Sequence, residues 1–245
     1  MINLTTQGRT KTKIQMTDRD KQILRLCLEQ KFLTFGHVES FFPERAAKFS
    51  ASKRIAALRD AGMIRVDPSH VLQRHLIVTL TRYGEVLAGD GCPIELDMGL
   101  KAQRSTLDHD AIVTSARLSF STLFPGSKWL PERAIKPMKL DYLPDGIVEL
   151  TSGERIAIEV ENSIKWKARY HALMYKNWAD LPRFDKVLFI ATNDKIAAAI
   201  GQCLSASPEH PTFGVMKVTD LKNGQTNFVT KNRVIMTLSD LEKAS

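Results

Sequence analysis

The sequence has little cysteine and no long apolar run. Its three cysteines, Cys27, Cys92 and Cys203, lie far apart. That spacing gives neither a disulfide framework nor a zinc site, so a reducing cytoplasm is the expected setting. No stretch approaches the roughly 18 consecutive apolar residues that cross a bilayer. The start, Met1 to Gln15, is polar and basic and lacks the apolar centre of a secretory signal. The phosphate-cradling loop Gly-x-x-x-x-Gly-Lys is missing, which argues against an ATP motor. Gly-x-Ser-x-Gly, the serine-hydrolase elbow, is missing too. Among His37, His70, His75, His109, His171 and His210 there is no His-x-His pair. Repeats and low-complexity tracts are also absent.

What is present fits one large or two small domains, at 245 residues with 43% hydrophobic content. The net charge of +8 is unevenly spread. Residues 1–104 carry 17 Lys and Arg against 11 Asp and Glu, whereas residues 105–245 carry 18 against 16. A basic front half suits a polyphosphate partner, although a basic but inert surface gives the same balance.

Residues 1–15 read as a flexible basic arm with Arg9, Lys11 and Lys13. Thr17 caps a first helix carrying Ile23, Leu24, Cys27 and Leu28 at helical spacing. Thr34 caps a short second helix that stops at Pro43. Ser50 or Ser52 opens a third, with Ile55, Ala56, Leu58 and Ala61 inward and Gly62 at its end. A hairpin follows, from Met63 to Leu80, with its turn at Asp67-Pro68-Ser69. Thr81 then caps a fourth helix ending near Gly89. Three helices and a hairpin over residues 16–90 resemble a winged helix-turn-helix domain. That resemblance implies a third helix in the DNA major groove and a wing on the backbone. It places Ser52, Lys53, Arg54 and Arg59 toward DNA, with Arg74 and His75 on the wing. A solvated helix face or a protein-binding module is the alternative.

The turn-rich Gly89 to Pro93 marks a boundary, residues 91–104 read as a linker, and residues 105–245 form the second domain. Thr106 or Asp108 caps a long helix with Ile112, Val113, Ala116 and Phe120 on its buried side. His109, in its first turn, reads as a surface or capping residue. Strands are expected over Lys128–Ile135 (including Glu132), Asp145–Leu150, Arg155–Val160, Lys186–Ala191, Phe213–Val218 and Arg233–Leu238. Helices are expected over Ile164–Trp178 and Ile196–Leu204, and Asn223-Gly224 reads as a hairpin turn. This α/β (α+β) pattern suits a mixed β-sheet flanked by helices.

The most informative stretch runs from Pro144 to Glu161. Alternate residues of a strand face the same way, so Glu159 and Glu161 share a face, with Val160 on the other. If its strand pairs with the preceding one, Asp145 can lie near that face. Grouped carboxylates repel one another and lose hydration unless a cation sits among them. Acids on the solvated face of a hairpin are the plainer reading. Pro144-Asp145, the apolar strand before Glu159-Val160-Glu161, and Lys165, Lys167 and Arg169 beyond it together resemble the PD-(D/E)XK nuclease signature, the restriction-endonuclease-like fold. Glu161 stands where that family usually has Lys.

The resemblance implies that Asp145 and Glu159 hold Mg²⁺ or Mn²⁺, that Glu161 holds a second ion or accepts a proton from water, and that Glu132 is a fourth ligand, a surface acid being the alternative for Glu132. It also implies that His171, Lys165 or Lys167 meets the scissile phosphate, although a solvated helix face accounts for these as well. The whole chain is similar to the MobC-type plasmid mobilisation relaxases and the related replication-relaxation family. The residues that carry this are Leu107-Asp108-His109, Pro144-Asp145-Gly146, Ile158 to Glu161 and the polar helix with His171 and Tyr175. That likeness implies a cytoplasmic endonuclease that binds double-stranded DNA at a transfer origin. It would nick one strand, hold the nicked single strand and work with an accessory or coupling protein. A non-catalytic regulator or replication protein, and a double-strand restriction-type nuclease, are the alternatives.

Overall fold

The computed structural model describes residues 14–68, 76–90, 92, 95–98, 102–140, 142–165, 168–172, 184–204, 212–225, 227–230 and 235–237. The chain is a mixed α/β protein that divides into two compact units, 1–93 and 94–245. No helix among the described residues is long and apolar enough to cross a membrane.

The first unit starts with α1 (Asp18–Gln30), held at its N-terminus by a reciprocal capping box. The Thr17 N–H donates to Asp20 Oδ2 at 2.7 Å, and the Asp20 N–H donates to Thr17 Oγ1 at 3.3 Å. β1 (Leu33–Thr34), α2 (Phe35–Glu39) and α3 (Ala47–Asp60) follow. Next come β2 (Ile64–Pro68), β3 (Leu76–Leu80) and α4 (Arg82–Gly89). The three strands form an antiparallel sheet in the order β1-β3-β2. Its core is Ile23, Leu24, Cys27, Phe32, Leu33, Val38, Ile55, Leu58 and Val78, all buried.

Two expected boundaries differ. α3 starts at Ala47, before both serines, because a 3₁₀ turn over Glu44–Ala46 feeds the chain into it without a side-chain cap. Asp67 and Pro68 belong to β2, paired with Ile77 and Leu76, rather than to a turn, and Ser69 lies outside the described residues. Pro68 sits at the end of the strand, where it costs no interior ladder bond.

The second unit holds α5 (Leu107–Leu123), β4 (Lys128–Pro131), α6 (Glu132–Ile135), β5 (Gly146–Glu149) and β6 (Arg155–Glu161). A helical stretch, α7, covers residues 168–172. β7 (Lys186–Ala191), α8 (Asp194–Leu204), β8 (Thr212–Lys217), α9 (Val218–Lys222), β9 (Asn227–Thr230) and β10 (Ile235–Thr237) complete it. The seven strands lie in sequence order, β10-β9-β8-β7-β6-β5-β4. β6, β7 and β8 run parallel, and the outer pairs are antiparallel.

Side-chain alternation splits the core between the two faces of this sheet. Ile156, Ile158, Val160, Leu188 and Ile190 pack against Val113, Ala116 and Phe120 of α5 and Leu221 of α9. Ala157, Val187, Phe189 and Ala191 pack with Tyr170 and with Ile196, Ile200 and Cys203 of α8. Gly146 opens β5 where a Cβ would lie 2.3 Å from the Trp129 ring, so only glycine fits beside that indole.

Differences from expectation are local here too. The strand from Lys128 ends at Pro131, and Glu132 opens a short helix that buries Ala134 and Ile135. Asn223-Gly224 closes α9 instead of joining two strands, with Gly224 at φ +75°. Within the expected linker, the Asp97 N–H donates to the Arg133 carbonyl at 2.9 Å and its carboxylate meets Lys136 at 2.7 Å. Asp97 is thereby fastened to the second unit.

Candidate functional site

β6 positions two carboxylates by alternation alone. Glu159 and Glu161 follow Ala157 on the sheet face that carries Phe189 and Ala191, their register partners on β7. The two side chains are 3% and 1% exposed, on otherwise apolar surface. The Tyr142 hydroxyl donates to Glu159 Oε2 at 3.3 Å. The Lys165 ammonium donates to Glu161 Oε1. Glu159 Oε1 and Glu161 Oε2 are buried with no hydrogen-bond partner among the described residues. An ionised oxygen left in that condition is costly.

Asp145 comes to the same place from β5. Gly146 is the last residue of the β5–β6 ladder, paired with Ile158, so Asp145 lies just past its end beside Glu159. Its N–H donates to the Ile158 carbonyl at 3.0 Å. Its Oδ2 accepts the Val160 N–H at 2.7 Å, which β5 no longer reaches. His109 of α5 closes the arrangement. Its Nε2 lies 3.1 Å from Asp145 Oδ2 and 3.2 Å from the Val160 carbonyl oxygen, both acceptors, so that nitrogen carries a proton. Nδ1 lies 3.5 Å from Asp110 Oδ1.

These neighbours shift the titrations. Burial raises the Glu159 carboxyl well above the usual range, and the Asp145 and Glu161 charges push it further. Burial likewise raises Glu161, against the opposing pull of Lys165. Burial favours neutral His109, but Asp110 and Asp145 outweigh it and raise the imidazole to about 10. Burial, then the charges of Glu159, Asp145 and Glu161, holds Tyr142 above its ordinary value, so its hydroxyl stays a donor. A cluster of mutually repelling acids with displaced titrations is the pattern that functional sites concentrate, although ion-pair networks produce it too.

Asp145, Glu159 and Glu161 therefore act on one another. Glu132 follows Pro131, the partner of Gly146, but starts a helix with its side chain half-buried. His171 lies on α7, half-buried, and among the described residues no hydrogen bond links it to the three acids. Lys165 sits before α7, not on it, and points into the acids rather than outward. Lys167 lies outside the described residues.

In the first unit, Ser52, Lys53 and Arg59 are exposed on α3. Arg59 reaches its neighbour Asp60 at 3.1 Å. Arg54 differs from expectation: its guanidinium grips both oxygens of Asp20 and also donates to the Gln15 carbonyl at 2.9 Å. Asp20 is 0% exposed, so this arginine faces an internal acid rather than a groove. Arg74 and His75 lie outside the described residues.

Sequence reasoning undervalued His109. A histidine in a first helical turn is usually a cap or a surface residue. The available signal was Leu107-Asp108-His109 preceding the acidic strands by one helix.

Among the described residues, no group of three or more His, Cys, Asp or Glu side chains is arranged to hold a metal ion. Asp145 Oδ2 is engaged by His109 and Val160, and Glu161 Oε1 by Lys165. The donor chemistry nonetheless fits a hard divalent cation. Two buried carboxylate oxygens have no partner, and a third carboxylate stands beside them. No family model, curated protein or solved structure matches the chain.

Proposed function

We propose that this chain is a metal-dependent DNA endonuclease whose first unit docks the duplex and whose second unit cuts one strand. The observation that carries the reading is the pair of unpartnered buried oxygens on Glu159 and Glu161, with Asp145 just past the end of the ladder. Asp145, Glu159 and Glu161 would hold the Mg²⁺ or Mn²⁺. Bound there, the ion would lower the pKa of a water and offset charge building on the phosphate. The Tyr142 hydroxyl fixes Glu159, and His109 fixes Asp145 against the β6 edge.

For docking, the helix order of the first unit, its three-stranded sheet and the exposed Ser52, Lys53 and Arg59 on α3 support a winged-helix reading. The uneven positive charge supports a phosphate partner. The plasmid transfer origin, the coupling or accessory partner and the relaxase role rest on the MobC-type resemblance alone.

Supercoiled plasmid carrying a transfer origin is therefore expected to become open circle with Mg²⁺ or Mn²⁺ and to stay supercoiled in chelator. Asp145→Ala and Glu161→Ala should each stop the conversion. Linear product would instead point to a double-strand nuclease, and full activity in either variant would remove the acids from the chemistry.

A second reading has its own observation. The Lys165–Glu161 and His109–Asp145 pairs close the cluster using only the protein's own charges. A DNA-binding regulator or replication protein would keep them as structural bridges. It would bind DNA equally well in chelator and never cut.

A further inference from the structure

We propose that the Lys165 ammonium is the resting counter-ion of the acidic cluster and that a divalent cation enters by displacing it. This deepens the metal-site reading and rests on it. Glu161 is 1% exposed, and its only ion pair among the described residues is with Lys165. The same ammonium's charge opposes that of Glu159, which lies on the same face of β6 and has no ion pair of its own among the described residues. One lysine thus serves two buried carboxylates. Each of those carboxylates still has a buried oxygen with no hydrogen-bond partner among the described residues, Glu159 Oε1 and Glu161 Oε2.

The lysine is built to leave. It sits between β6 and α7, in neither element, and its side chain is 22% exposed while that of its partner is 1% exposed. Its backbone is fastened separately: the Lys165 N–H donates to the Tyr170 hydroxyl at 3.2 Å, and Tyr170 is fully buried. The side chain can therefore swing to solvent without moving the chain. A divalent ion and an ammonium sharing two carboxylates would repel each other, so occupancy by one lowers occupancy by the other. Two other charges act on Glu161, those of Asp145, just before β5, and of His109 on α5. Neither replaces the ammonium, since one is an acid and the other is committed to Asp145 and Asp110.

The test is Mn²⁺ binding to the full chain by calorimetry at pH 8 without DNA. A site held by its own lysine about nine times in ten binds metal about tenfold more weakly than a free one. Lys165→Gln is therefore expected to bind Mn²⁺ about tenfold tighter than the parent chain, and Lys165→Arg about as the parent does. Equal or weaker binding by the Gln variant, with the parent binding normally, would overturn displacement and leave the metal site standing. No binding by either chain would overturn both. A second measurement needs no variant. Acetylation of the Lys165 amine, read by mass spectrometry, should rise when Mn²⁺ is added. An unchanged or lower rate contradicts the proposal.

Discussion

Glu159→Gln is expected to make the metal-free protein more stable at neutral pH while lowering the proposed metal-dependent cleavage by about a thousandfold or more. Both effects have one cause. Glu159 is buried beside two other acids and has an oxygen with no partner. The amide removes the charge but keeps an acceptor for the Tyr142 hydroxyl. Removing a buried charge that two neighbouring acids repel is worth about 1–3 kcal/mol. For a unit of this size, each kcal/mol raises Tm by roughly 2–4 °C. With Glu159 a metal ligand as proposed, its loss would remove several kcal/mol of charge stabilisation from the chemical step.

The pH dependence has a definite sign. Because burial and the neighbouring acids raise the Glu159 carboxyl, the folded state binds more protons than the unfolded one above the ordinary Glu value. Stability therefore falls as pH rises through a window that opens near pH 4.3 and ends at the raised folded value. The Gln variant has no such window. Its advantage in Tm should vanish below about pH 4 and grow as pH increases from there. Melting curves in chelator across that range measure it. A variant less stable than the parent at every pH would contradict the account.

Arg54→Met is expected to destabilise the first unit by about 3–5 kcal/mol, the usual cost of stranding one member of a buried ion pair. Asp20 is the member left behind, with Thr17 its remaining side-chain partner among the described residues. Burial alone would raise its carboxyl, but Arg54 and Thr17 outweigh that and hold it below the ordinary Asp range. The stability this provides is present above about pH 4 and is lost as pH falls through the lowered value. Lys53→Met gives the contrast. Lys53 is exposed, so its loss should leave stability within about 0.5 kcal/mol of the parent. It should weaken DNA binding and reduce the salt slope by about one. Unchanged melting with weakened DNA binding in Arg54→Met would show that the arginine faces DNA after all.

The contrast between Lys53 and Arg54 shows what a sequence reveals and what it hides. Helical spacing separates Ile55 and Leu58 from the polar faces of α3. It cannot tell that one polar position meets Asp20, 34 residues earlier, in the interior. The shared face of Glu159 and Glu161 was legible because strand alternation is strict. Their depth was not, since burial depends on Phe189 and Ala191 from a strand far along the chain. Short elements were the weakest ground. α6, α9 and β9 run for only four or five residues, too few to establish a period. Lys165 reads as part of a polar helix because its neighbours are polar. Its ion pair with Glu161 follows from the chain turning after β6, which no local pattern encodes.

The most direct test is anomalous diffraction from crystals soaked in Mn²⁺. The account predicts one strong peak within bonding distance of carboxylate oxygens from Asp145, Glu159 and Glu161, with the Lys165 amine moved off Glu161. A fully soaked crystal with no peak there and the Lys165–Glu161 pair intact would reduce the cluster to an internal salt bridge.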